Sequence, residues 1–285
     1  MKKVLVYNLY AKDIITDNKC YTIHQKCIEY YKDIFDNMIF YLSVDDLSNV
    51  ELVRNMSEWV TQTCIGKNYE IKIRQNTKLC ESKIFKEEII DKRELYKDTF
   101  IFFGHAKNAT RLDKNLNVDC DDFTVNVDSI IKWSIALYFY GLNFQDELDN
   151  RLLGYPRQSE MFYGPLLTQL NDPSKSSILR MNKGNCHYQG TFYWINMNAF
   201  NNYINRNIIE LPLIDNRYWV EMLPGVVGGR YKYGDGCSSH YDVAITDDFN
   251  LYKLDEDNWI YLVNILGDGN EFWEFYNRIM REVID

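Results

Sequence analysis

The seven cysteines of this 285-residue chain include no C-x-x-C pair, and their number is odd. That usage excludes a disulfide framework and fits free thiols in a reducing compartment. Histidine is scarce, with four residues and no H-x-H or H-x-x-x-H pair, which leaves a zinc site little to build on. No apolar run approaches the ~20 residues that a membrane span requires. The opening Met1-Lys2-Lys3-Val4-Leu5-Val6-Tyr7-Asn8 starts like a signal peptide, but its apolar run breaks at once and reads as a first strand. Positive charge is in deficit, with a net charge of −9. This argues against nucleic acid as the main partner. Repeats, low-complexity tracts and a clear linker are all missing. The expectation is a cytoplasmic protein with no transmembrane segment, folded as a single domain over 1–285. Within it a regular first half would cover about 1–110 and a second half about 111–285.

What is present is apolar and aromatic. Hydrophobic residues make up 46% and aromatics 15%, and 22 residues are tyrosine. Tyrosine couples apolar area to a hydroxyl and suits polar ligands such as carbohydrates, although an AT-biased genome also raises its count. The first half alternates short apolar runs with helical periodicity, the pattern of an α/β sheet. Strands are expected at 3–9, 37–44, 69–75 and 99–103, the last wholly apolar and therefore central. Helices are expected at 21–35, 50–65 and 81–96, the last as a charged amphipathic helix. A long helix should follow from 128 to about 153, capped by Asp128 or Ser129. After the aromatic strand ending near Trp194, a helical segment begins at Met197. A helical turn at 217–222 should stop at Pro224-Gly225, and an amphipathic helix at 271–283 closes the chain.

Two segments carry chemistry. An open α/β sheet holds its ligand at the carboxyl ends of its strands. Those ends bear Tyr7, Asn8 and Tyr10, then Asp45-Asp46, then Gly104-His105-Ala106-Lys107-Asn108. On an extended chain His105 and Lys107 point the same way, and a cation there would neutralise a diphosphate. The second segment is His187-Tyr188-Gln189-Gly190-Thr191-Phe192-Tyr193-Trp194, a polar glycine turn running into three aromatics. Glycine lets backbone approach a ligand closely, and aromatic faces suit sugar rings. A buried aromatic strand after a tight turn fits the same residues. A literal Asp-x-Asp occurs at Asp119 and Asp121, in a loop beyond the strand.

Together these residues resemble a family of GT-A-fold glycosyltransferases found in bacterial capsule or lipopolysaccharide clusters and in large DNA viruses. Phe103 to Asn108 resembles that family's Y-x-H-T-K-G strand end, and His187 to Trp194 its H-F-S-G-N-F-W-W motif. Trp133, Tyr138 and Phe139 are similar to an aromatic helix between the two, and Arg217-Tyr218-Trp219-Val220-Glu221 to a later R…E-x-W/Y. The likeness spans roughly 2–225. It departs at Asn108 where glycine is usual, at Ala106 for threonine and at Thr191 for asparagine.

The resemblance implies a GT-A-like, Rossmann-type mixed sheet with flanking helices. It implies an inverting glycosyltransferase, using a nucleotide-sugar donor and a glycan or lipid-linked acceptor. Glu221 and Lys107 would be catalytic, as general base and as the cation that replaces a metal. Tyr7, Asn8, Tyr10, His105, Lys107 and Asn108 would bind the donor. His187, Gln189, Gly190, Trp194 and Arg217 would line the acceptor and sugar site. No cofactor is then required, although a divalent ion, Mn or Mg, held by Asp119 and Asp121 is the alternative. Two rival readings are a non-catalytic carbohydrate-binding protein and, with less support, a metal-dependent hydrolase built on His105, His187, His240, Asp119 and Asp242.

Overall fold

A computed structural model describes residues 1–117, 126–143, 191–207, 219–227 and 254–284. Shorter described pieces lie at 162–163, 167–169, 186–188, 237–238 and 244–245, with positions 214 and 217. The fold is α/β, a mixed sheet flanked by helices. Two compact units interleave along the chain, and strand β1 (Lys2–Tyr10) contributes its start to one and its end to the other.

The first unit takes the described residues of Tyr7–Asn76, Ala106–Asn143 and Asp248–Asp285. Its strands follow the order β3-β2-β1, with β2 at Asn37–Val44 and β3 at Tyr69–Gln75 paired in parallel from Met38↔Tyr69 to Val44↔Gln75. Strand β2 is buried almost throughout, as a continuous apolar run demands. Strand β3 is the edge, half exposed and carrying Lys72 and Arg74, which discourages pairing with another chain. Helices α1 (Lys19–Tyr31) and α2 (Val50–Thr63) start at asparagine caps. The side chain of Asn18 accepts from the Cys20 amide and that of Asn49 from the Leu52 amide.

Helix α4 (Val127–Leu142) is mostly apolar and buried along nearly its whole length. Its cap is Asn126, which accepts from the Ser129 amide, not Asp128 or Ser129 as the pattern predicts. Asp128 instead meets the buried Lys132 ammonium at 2.6 Å. Positions beyond 143, where the pattern continues this helix, lie outside the described residues. Helices α7 (Glu256–Leu266) and α8 (Gly269–Ile284) complete the unit. The aromatic face of α8 finds its partners here. Phe272 stacks on Tyr140 at 5.6 Å, and Phe275 lies 4.9 Å from Tyr30 and 5.7 Å from Phe139. Helix α7 has no counterpart in the periodicity reading; its signal is the Asp255 cap, whose carboxylate accepts from the Asn258 amide.

The second unit takes the described residues of Met1–Val6, Thr77–His105 and Phe144–Asp247. Its strands run β1-β4-β8-β5-β9, with β4 at Thr99–His105, β5 at Phe162–Tyr163, β8 at Tyr193–Asn196 and β9 at Cys237–Ser238. Strand β8 is antiparallel to β4, from Phe100↔Asn196 to Phe103↔Tyr193. A small second sheet orders β10 (Ala244–Ile245), β6 (Leu167–Gln169) and β7 (Cys186–Tyr188). Helices α5 (Met197–Asn207) and α6 (Trp219–Val227) also belong to this unit.

Two expectations fail here for physical reasons. The segment expected as one amphipathic helix at 81–96 breaks into α3 (Cys80–Ile84), a π-helical stretch Phe85–Ile90 and a 3-10 turn Arg93–Tyr96. Two of its charged residues, Glu81 and Glu88, are buried and not on a solvated face. Glu88 is met by Lys92 at 2.7 Å and by the Tyr96 hydroxyl. Second, α6 passes through Pro224 instead of stopping there. A proline removes the amide that would bond the carbonyl four residues back, here Val220. That carbonyl accepts the Tyr193 hydroxyl at 2.8 Å instead, so the helix continues without an orphaned group.

Candidate functional site

Strand β4 is buried from Thr99 to His105, and His105 stands at its carboxyl end. Because β8 runs antiparallel, the residues just before it, Thr191 and Phe192, arrive at that same end. The ring of His105 lies 5.8 Å from that of Phe192. Its Nδ1 lies 3.2 Å from Glu81 Oε1, and both side chains are almost wholly buried. Burial acts to raise the Glu81 carboxyl. The His105 imidazole, the residue's own backbone amide and the Arg217 guanidinium outweigh it, and the group is held down at about 2. Glu81 is therefore ionised, and a charged His105 beside it would be neutralised. The compensating cation that the strand end was expected to share between His105 and Lys107 reduces to Lys107.

One residue before Phe192, Thr191 is buried and holds a left-handed backbone, φ 58. A β-branched residue reaches that region only under strain. Its hydroxyl donates to Glu221 Oε1 at 3.2 Å. Glu221 sits in the first turn of α6 and is half-buried. That turn is tied to α3, because Ser82 Oγ accepts the Val220 amide at 3.1 Å and donates to the Arg217 carbonyl at 2.9 Å. Arg217 is exposed, with its backbone fixed in this way. Trp194 is a packing residue and not a sugar platform: it is 2% exposed and lies 5.1 Å from Phe102. His187 lies in β7 opposite Thr168. Gln189, Gly190, Asp119 and Asp121 lie outside the described residues.

The donor-site candidates Tyr7, Asn8, Tyr10, Lys107 and Asn108 fall in the first unit. Tyr7 is fully buried and offers no face to a nucleotide base. Its hydroxyl lies 2.5 Å from that of Tyr138, which is 2.8 Å from His24 Nδ1. His24 Nε2 is 2.8 Å from the Lys107 carbonyl. A carbonyl only accepts, so Nε2 carries a proton and donates it. Burial pushes both phenols well above their ordinary range, so they remain protonated. Strand β4 ends at His105, and Lys107 already lies in a turn, so the extended spacing assumed for the pair does not hold. The Lys107 ammonium lies 5.0 Å from the centroid of the Trp133 ring. Asn108 has φ 66 and donates to Ser134 Oγ at 3.2 Å. Asn8 is buried and accepts the Ser43 hydroxyl, a strand-to-strand tie. Tyr10 donates to the exposed Asp45 carboxylate at 2.8 Å.

Comparison with protein-family models and with curated proteins finds no match. Glu81 and Ser82 are the residues that sequence reasoning missed, because a buried glutamate and a surface one look alike in a charged helical pattern. A cleft of about 260 Å³ beside the β1–α1 connection is a further feature of the first unit, lined by Lys12, Asp13, Asn18 and Lys114 among others. Among the described residues no three His, Cys, Asp or Glu side chains are grouped to hold a metal ion.

Proposed function

We propose that this chain is a glycosyltransferase that moves a sugar from a nucleotide-sugar donor to a hydroxyl of a glycan or lipid-linked acceptor. The reading is carried by one observation. At the carboxyl end of β4 a half-buried carboxylate, Glu221, is hydrogen-bonded by Thr191, next in sequence to the ring that flanks the His105–Glu81 pair. Such a carboxylate suits a general base, which needs both a fixed position and access to the acceptor. In the proposed step Glu221 takes the proton of the acceptor hydroxyl, and the acceptor oxygen attacks the anomeric carbon. The bond from that carbon to the diphosphate oxygen breaks, and its electron pair leaves with the diphosphate. The reaction inverts the anomeric centre.

The two motif departures that matter most support the resemblance. Asn108 and Thr191 are both left-handed, at φ 66 and φ 58. The family motifs have glycine and asparagine there, the residues that tolerate this backbone best. A carbohydrate-binding module without catalysis would need open aromatic faces, whereas Phe192, Tyr193 and Trp194 are all buried.

The reading assigns UDP or GDP, rather than CMP, to the leaving group, and a cytoplasmic setting. Thermal unfolding in the presence of UDP, GDP, CMP or free monosaccharide tests it. A nucleoside diphosphate at one hundred times its Kd stabilises by about 2.7 kcal/mol, a rise of several degrees. The rise should shrink in Lys107→Ala. Stabilisation by free sugar alone, or by none of these, would refute the proposal.

A further inference from the structure

The main chain around Glu221 is held more firmly than the docking of a short helix demands. The Val220 amide is accepted by Ser82 of α3, and the Val220 carbonyl takes the Tyr193 hydroxyl of β8. The Glu221 carboxylate takes the hydroxyl of a strained Thr191. Three hydrogen bonds from two segments, α3 and the start of β8, thus converge on two consecutive residues. The Ser82 side chain is fully buried and uses both its donor and its acceptor capacity on the entry to α6, at Arg217 and Val220. The segment holding Ser82 is itself irregular. Cys80 has φ 41 and the chain becomes π-helical from Phe85. Backbone distortions of both kinds concentrate at functional sites.

We infer that Ser82 is a positioning residue, acting through the first turn of α6 to fix the Glu221 carboxylate for proton transfer. The inference rests on the glycosyltransferase reading. Removing the hydroxyl frees the Val220 amide and the Arg217 carbonyl together, and the carboxylate loses its registration while remaining in place as a group. Small misplacements of a catalytic group lower turnover more than they lower substrate binding.

The test is a double-mutant cycle on turnover in the full chain, combining Ser82→Ala with Glu221→Gln, the slow variants followed in single-turnover mode. Ser82→Ala should lower kcat about tenfold with the donor KM little changed. In the Glu221→Gln background the same substitution should lower the residual rate less than twofold, since the group it positions is already gone. Ser82→Thr, which keeps the hydroxyl, should recover most of the rate. Equal losses in both backgrounds would overturn the inference and leave Ser82 a purely structural residue, because a folding defect acts whether or not the base is present. If the wild type transfers from no nucleotide sugar, the glycosyltransferase reading fails and the positioning claim fails with it. Amide exchange at Val220 then separates the two levels: unchanged protection in Ser82→Ala also removes the hydrogen bond on which the claim is built.

Discussion

Glutamate 81 illustrates how a residue can be visible in a sequence and its role not. Its neighbours Lys83, Lys86, Glu87 and Glu88 make the segment look like a solvated helix, and nothing in that pattern marks one glutamate as buried. The deciding fact is its meeting with His105, at the far end of strand β4. A carboxyl held down in the folded state contributes stability above its unfolded pKa and loses that contribution as pH falls toward its folded value. For Glu81 the window runs from the ordinary glutamate value of about 4.5 down to about 2. Glu81→Gln should therefore be less stable than the wild type at neutral pH, and the gap should close across that window. Urea denaturation at a series of acidic pH values measures it. A gap that stays constant down to pH 2 would show that the ion pair does not tie folding to protons. Tyr7 and Trp194 teach the converse lesson. Their chemistry was legible as aromatic, but only packing shows that both are core residues.

At the scale of elements, periodicity located most of the sheet. Strands β2 and β3 coincide with their expected bounds because each is bracketed by turn-forming residues, β2 as an almost continuous apolar run and β3 as Tyr69, Ile71 and Ile73 alternating with polar residues. Helix α6 was misjudged because a local rule, that proline stops a helix, was answered by a distant group. The Tyr193 hydroxyl supplies the donor that Pro224 lacks. Tyr193→Phe should leave the buried Val220 carbonyl unsatisfied and destabilise by about 1–3 kcal/mol. Pro224→Ala introduced into Tyr193→Phe restores an amide donor within the helix and should recover a substantial part of that loss. Chemical denaturation of the four proteins closes the cycle, and strictly additive effects would contradict the account.

For the whole molecule, alternation was enough to give an α/β fold, and the mixed sheet came only with the resemblance. They could not give the interleaving of two compact units, since that depends on long-range contacts. No helix among the described residues is long and apolar enough to cross a membrane. Cys20, Cys27 and Cys64 are buried free thiols, and burial pushes Cys20 and Cys64 up to about 12, which makes them poor nucleophiles. The candidate site was half legible. His105 and Glu221 carry residue types whose chemistry can be read locally, whereas the groups that hold them, Glu81, Ser82 and Thr191, become visible only once strand ends and helix starts are assembled.

The central claim is that the Glu221 carboxylate removes the acceptor proton in a transfer from a nucleotide sugar. Wild type and Glu221→Gln should be compared for nucleotide-induced thermal stabilisation and for transfer from UDP- and GDP-sugars. The account predicts equal stabilisation by the nucleotide and a loss of transfer of at least a hundredfold, the scale of a missing general base. Transfer by Glu221→Gln at the wild-type rate would contradict it.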